Sequence, residues 1–119
     1  MLRLINNTRN FCIPFGGSIL MSQQYAGKAI GVFEFDNLVA CIVALDAATK
    51  TADVVVQGVE RNRLKSGACV KIRGSVSDVR AAMDAALREG GRLGKLYSST
   101  VIASPAADTE TAIAMTINK

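Results

Sequence analysis

The sequence predicts one α+β domain, in which two helices cover one face of an antiparallel sheet, and three observations support this prediction. Half of the 119 residues are hydrophobic and a fifth are charged, which suits a folded chain with a single core. Short runs of β-branched and aromatic residues alternate with two stretches of helical period. Glycine, serine and proline separate these stretches, as is usual at turns and helix ends.

The first half of the pattern gives a strand and a helix. Residues 28–35 combine aromatic and aliphatic side chains, which indicates a largely buried strand. Asp36 can cap a helix over residues 37–51. We expect an apolar stripe of this helix to face the core. Its members are Leu38, Ile42, Leu45 and Ala48 or Thr49, and Val39 and Val43 widen it. The other face carries small residues suited to close packing, namely Ala40, Ala44 and Ala47.

The second half supplies the remaining elements. β-Branched segments at 53–60 and 68–73 predict a hairpin-like pair of strands, and residues 76–90 have helical period after serine caps. A last strand is expected at 96–103, and a short helix near 109–115. The order strand, helix, strand, strand, helix, strand is the split βαβ arrangement of ferredoxin-like folds.

Composition argues against several functional classes. The chain has no His, the commonest general base and a common metal ligand, and no nucleophile has a recognisable base beside it. Its three cysteines, Cys12, Cys41 and Cys69, are widely spaced and predict reduced thiols instead of disulfides or a zinc site. We therefore expect no enzyme activity, no catalytic residues, no cofactor and no metal.

Nucleic acid and membrane are not expected as partners. The net charge of +4 is modest for a nucleic-acid-binding domain, and the predicted central strands lack aromatic residues on which bases could stack. Charges or glycines interrupt every apolar run before the ~20 residues that span a bilayer.

The chain closely resembles the shell proteins of bacterial microcompartments, in the single-domain class that forms hexameric tiles. The resemblance covers about residues 26–105 and rests on the order and spacing of eight segments. These are Ala29-Ile-Gly-Val32, Leu38-Val-Ala40, Leu45-Asp-Ala-Ala-Thr-Lys50, Val54-Val-Val-Gln-Gly58, Ser66-Gly67, Val70-Lys-Ile-Arg-Gly-Ser-Val76, Val79-Arg-Ala-Ala-Met-Asp-Ala85 and Val101-Ile102.

The resemblance implies a structural role in a bacterial microcompartment shell in the cytoplasm. It implies homohexamers that join into flat sheets, with other shell proteins and encapsulated enzymes as further partners. A central pore would carry small metabolites. We expect the subunits to meet through the small-residue surfaces of the helices and through sheet edges.

The resemblance also assigns the edge between hexamers. Lys50 occupies the position of the family's edge lysine, although a cation also suits an ordinary solvated helix end. Asp53 and Ser104 stand where the family usually has an Asn and an Arg. A hydroxyl does not replace a planar guanidinium fork across an interface, so lateral assembly is expected to be weaker or differently angled.

The pore loop implied by the resemblance is longer and more basic than the family's Lys-aliphatic-Gly-Ser-Gly turn. It consists of Arg61, Asn62, Arg63, Leu64, Lys65, Ser66 and Gly67. The three cations alternate along the chain, so in an extended segment they would share one side and favour anionic metabolites at a sixfold axis. The alternatives are a solvated hairpin tip, or a pore that six copies of Leu64 close.

The two ends of the chain lie outside the segment that the resemblance covers. Residues 1–25 are expected to be an N-terminal extension and 106–119 a C-terminal tail. The segment 1–20 is either dispensable or a partner-binding arm, and Met21 is an alternative start.

A ferredoxin-like oligomer that senses an anionic effector is the competing function, and an iron–sulfur shell protein that uses a ring of Cys69 thiols is a third.

Overall fold

The computed structural model describes residues 24–62 and 66–117, and it confirms the predicted α+β fold class. The elements in chain order are β1 (Ala29–Phe35), α1 (Leu38–Thr51), β2 (Val55–Arg61), β3 (Ala68–Gly74), α2 (Val76–Gly90), β4 (Leu96–Ile102) and α3 (Ala107–Ile117).

The four strands form one antiparallel sheet in the order β2-β3-β1-β4, so that β2 and β4 are its outer strands. At one end of the sheet the register aligns the following residues: Arg61, Ala68, Phe35 and Leu96. We call this the hairpin end. At the other, the far end, it aligns Val55, Arg73, Ile30 and Ile102. The connection between β2 and β3 thus lies at the hairpin end, together with the β1–α1 and α2–β4 connections.

The main core lies between the sheet and the helices α1 and α2. Phe33 and Phe35 are fully buried there and pack edge to face, with ring centroids 5.9 Å apart. Val70 and Ile72 of β3 face the same layer, as does Met83 of α2. Alternation along each strand therefore turns one face of the sheet to the core, and we call the opposite side the second face.

The core-facing side of α1 differs from the prediction. Its buried residues are Ala40, Cys41, Ala44 and Ala48, whereas Val39 and Ile42 are 62% and 58% exposed. The physical reason is the close approach of α1 to α2, because a Cβ atom at Gly90 would lie 2.9 Å from that of Ala44. The expectation that Ala40 and Ala44 serve subunit contacts is therefore wrong, since both are already buried within the chain.

The helix caps agree with the predicted positions to within a residue. Asn37 caps α1 in place of Asp36, because its Oδ1 accepts a hydrogen bond from the Ala40 N–H at 2.8 Å. Ser75 caps α2 by accepting from the Asp78 N–H at 3.1 Å, and its hydroxyl donates to Asp78 Oδ2 at 2.8 Å. This reciprocal pairing fixes the start of α2 directly after β3.

The helix α3 is longer than the 109–115 segment expected, and it is anchored on the second face of the sheet. Arg73 of β3 is completely buried there and forms a two-pronged ion pair with Glu110 of α3. Further acceptors for its guanidinium are Gln57 Oε1 at 3.2 Å and the carbonyl oxygens of Tyr25 at 3.2 Å and Lys28 at 3.1 Å. Arg73 thus joins the turn before β1, strand β2 and α3.

We predict that Glu110→Ala destabilises the fold by ~3–5 kcal/mol, because it leaves the guanidinium of Arg73 buried without its counter-charge. Urea unfolding followed by circular dichroism measures this difference. Thr109→Ala, at an exposed position of the same helix, is the control and should change the free energy of unfolding by less than about 0.5 kcal/mol. Equal effects of the two substitutions would show that the ion pair does not anchor α3.

Candidate functional site

The predicted pore loop joins β2 to β3 at the hairpin end. Four of its seven residues are described, namely Arg61, Asn62, Ser66 and Gly67, and the expectations for residues 63–65 lie outside the described residues. Arg61 is the exposed last residue of β2, paired with Ala68 across the ladder. The Asn62 N–H donates to the Gly67 carbonyl oxygen at 2.9 Å. The two arms therefore meet in a hairpin, as the sequence predicts.

The first arm of the hairpin is tied to β1 by a side chain. Asn62 Nδ2 donates a hydrogen bond to Glu34 Oε2. Glu34 lies opposite Cys69 of β3, and Cys69 lies opposite Glu60 of β2, so these three residues form a row on the second face. Glu34 was not among the predicted site residues. The signal that could have indicated it is a charged residue between two buried phenylalanines, which places its side chain on the opposite face of the strand.

The second arm is tied to β1 through its backbone. A Cβ atom at Gly67 would overlap the carbonyl oxygen of Phe35, so this arm lies directly against the end of β1. The Ser66 hydroxyl donates to the Asp36 carbonyl oxygen at 3.0 Å, and Ser66 forms a parallel bridge with Asn37. Both arms of the hairpin are therefore held by the end of one strand.

Asp36 links this end of β1 to the connection between α2 and β4. Its N–H donates to the Lys95 carbonyl oxygen, and the Lys95 N–H donates to Asp36 Oδ1, both at 3.0 Å. Asn37 Nδ2 also donates to Oδ1, at 2.9 Å. The hydrogen bonds from the Lys95 backbone and from the Asn37 side chain hold the pKa of Asp36 below its ordinary value.

Lys71, also on the second face, contacts two members of the row formed by Glu34, Cys69 and Glu60. Lys71 Nζ forms an ion pair with Glu60 and lies 3.8 Å from Cys69 Sγ. Burial raises the pKa of the Cys69 thiol, which keeps it protonated at neutral pH. Among residues 24–62 and 66–117, no three His, Cys, Asp or Glu side chains are grouped so that they could hold a metal ion.

The three predicted edge residues all lie toward the far end of the sheet. Lys50, near the end of α1, is 73% exposed and pairs with Asp46 at 2.8 Å. Asp53 is exposed ahead of β2, and Ser104 is exposed after β4. Because each strand has seven residues, roughly 20 Å separates these residues from the hairpin along the sheet.

The comparisons with known proteins agree on one class of protein. The chain is 39% identical over 84 residues to the bacterial microcompartment shell protein EutM of Salmonella typhimurium, which covers 70% of this chain and 85% of that protein. It is 37% identical over 84 residues to the shell protein PduA of Citrobacter freundii, covering 70% and 88%. A crystal structure of a microcompartment protein from Desulfitobacterium hafniense DCB matches with a TM-score of 0.62 and 27% identity.

These matches define a microcompartment shell protein, and the family model is consistent with them. The BMC domain model matches residues 29–105. The chain therefore belongs to the BMC-domain family. The structural match with the Desulfitobacterium protein covers 67% of this chain and 45% of that one. Among the described residues, no helix combines the length and apolar character needed to cross a membrane.

We predict that Asp36→Asn lowers the free energy of unfolding at pH 7, because the ionised carboxylate is the form that the folded chain stabilises. Since the pKa is depressed in the folded state, this stabilisation is present above the ordinary value of 3.8 and is lost as the pH falls through the folded pKa. Urea unfolding over a pH series should therefore show the two proteins converging in acid. Asp84→Asn, on the exposed side of α2, is the control. A difference that persists unchanged in acid would contradict the prediction.

Proposed function

We propose that the protein is a homohexameric tile of a bacterial microcompartment shell, with a structural and transport role instead of a catalytic one. The observation that carries this proposal is the separation of two predicted surfaces by the length of the sheet. The basic hairpin lies at one end, and Lys50, Asp53 and Ser104 lie toward the other. A tile needs this arrangement, with the pore lining at its centre and the lateral contacts at its perimeter.

Large apolar side chains left on the surface supply the subunit contacts in this proposal. Val39 and Ile42 project from α1, and Leu96, Tyr97 and Ile102 of β4 are each 38% or 39% exposed. Among residues 24–62 and 66–117 no strand lies beside the outer edge of β4, and β4 carries no charge that would discourage pairing. Burial by a neighbouring copy would remove this surface from water.

The hairpin lines the central pore and gives it a preference for anions. Arg61 is exposed at the end of β2, and the chain carries two further cations, Arg63 and Lys65, before Ser66. Sixfold symmetry repeats each cation around the axis. A ring of positive charge in a narrow opening lowers the barrier for anions and raises it for cations. Small anionic metabolites are therefore the proposed cargo.

The perimeter joins tiles into sheets, alone or with other shell proteins, around the encapsulated enzymes. Lys50 is available for this role because its ion pair with Asp46 is exposed, and such pairs contribute little stability. Asp53 and Ser104 make the contact different from one built with Asn and Arg, so this tile is proposed to form weaker or more curved sheets.

We predict that Lys50→Ala leaves hexamers intact and reduces their assembly into sheets or tubes. Size-exclusion chromatography with light scattering measures the hexamer, and negative-stain electron microscopy measures the larger assemblies. Arg92→Ala is the matched control, because Arg92, in the turn after α2, is similarly exposed and pairs with a nearby carboxylate, that of Glu89. Equal assembly by the Lys50 variant and the wild type would remove Lys50 from the perimeter contact.

We predict that replacing Arg61, Arg63 and Lys65 by Gln reduces the anion preference of the pore. The effect should be largest at low ionic strength, where the Debye length reaches ~30 Å. Reversal potentials of hexamers in planar bilayers measure it. The control combines Lys28→Gln with Arg80→Glu, at two exposed positions toward the far end of the sheet, and so removes the same net charge. Unchanged selectivity in the hairpin variant would contradict a cationic pore.

A further inference from the structure

The base of the hairpin carries equal numbers of positive and negative charges. Arg61 and Lys71 provide two cations, and Glu34 and Glu60 provide two carboxylates. Lys71 pairs directly with Glu60. The carboxylate of Glu34 instead accepts a hydrogen bond from the neutral amide of Asn62, so that its negative charge is kept at the base of the loop. The charges of these four residues balance only because Glu34 adds its carboxylate from β1, which is outside the hairpin.

From this arrangement we infer that Glu34 is a positioning and selectivity-determining residue of the proposed pore. The inference rests on the proposed function, which it extends to a residue outside the loop. Glu34 acts in two ways that are separable by experiment. Its carboxylate oxygen holds Asn62, and its charge is opposite in sign to the cations of the proposed pore in every subunit.

The positioning role follows from two hydrogen bonds that Asn62 donates, one from its backbone and one from its side chain. Its backbone N–H donates to Gly67 in the second arm, and its side chain donates to Glu34 in β1. The first arm is thereby fixed both to the second arm and to the sheet. The second arm has its own attachment, the contact of Gly67 with the Phe35 carbonyl. Without Glu34, only the first arm loses its side-chain attachment to β1.

The selectivity role follows from the position of the charge. Glu34 is half-buried, and its side chain reaches the residue that directly follows Arg61. A charge at a partly desolvated position acts on its surroundings more strongly than one in bulk water. Six carboxylates at the base of the hairpins reduce the positive potential that the arginines produce. Glu34 thus limits the anion preference of the pore.

Three variants separate the two roles. Glu34→Gln removes the charge and keeps an oxygen that can accept from Asn62. Glu34→Ala removes both the charge and the acceptor. Asn62→Ala removes the hydrogen bond and keeps the charge. Asp108→Asn is the charge control, because Asp108 is exposed in the first turn of α3, which follows β4 at the far end of the sheet.

Reversal potentials of the assembled protein measure the selectivity role. Glu34→Gln should shift the reversal potential toward greater anion preference, and Asp108→Asn should leave it unchanged. Equal shifts in these two variants would overturn the selectivity role, because the effect would then be one of net charge only. A wild-type hexamer that conducts no ions would instead refute the proposed pore.

Hydrogen–deuterium exchange of the hairpin amides measures the positioning role without any need for conduction. Glu34→Gln should retain the wild-type exchange rate at Asn62, whereas Glu34→Ala and Asn62→Ala should both exchange faster there. Exchange in α2 serves as the internal reference for global stability. Faster exchange in Glu34→Gln, or unchanged exchange in Glu34→Ala, would overturn the positioning role.

Discussion

The close packing of α1 against α2 is the constraint on which the rest of the structure depends. The buried residues of α1 are small, namely Ala40, Cys41, Ala44 and Ala48, and a Cβ atom at Gly90 of α2 would lie 2.9 Å from that of Ala44. The larger aliphatic residues of α1, Val39 and Ile42, are consequently left on the surface. The packing of α1 against α2 thus leaves an apolar surface exposed, and burial of this surface favours association with a neighbouring subunit.

On the second face of the sheet, ion pairs determine which segments lie together. Arg73 is buried at the far end with Glu110, and Lys71 is paired with Glu60 nearer the hairpin. Buried pairs of this kind add little net stability, but the loss of one partner is costly, so they fix which segments lie together. This face consequently holds α3 at one end and the base of the hairpin at the other.

The sequence could predict the elements but not all of their contacts. Periodicity located the strands and both main helices to within two residues, because alternation and helical spacing are local properties. For α1 it was right only in part, because Leu38, Leu45 and Ala48 lie at the core whereas Val39 and Ile42 are exposed. Both sides of this helix are apolar, and the packing of the partner helix decides which residues are buried. Pairings such as Arg73 with Glu110, or Asn62 with Glu34, join residues far apart in sequence and depend on sheet register. The proposal that Lys50, Asp53 and Ser104 lie at the perimeter of a tile came from the family resemblance alone.

Cryo-electron microscopy of the purified, assembled protein tests the central claim most directly. For a homohexameric tile we predict particles with sixfold symmetry, in which the connection between β2 and β3 surrounds the axis and Lys50 lies at the perimeter. Val39 and Ile42 should then be covered by a neighbouring subunit. Particles with another symmetry, or sixfold particles with the hairpin at the perimeter, would contradict the account.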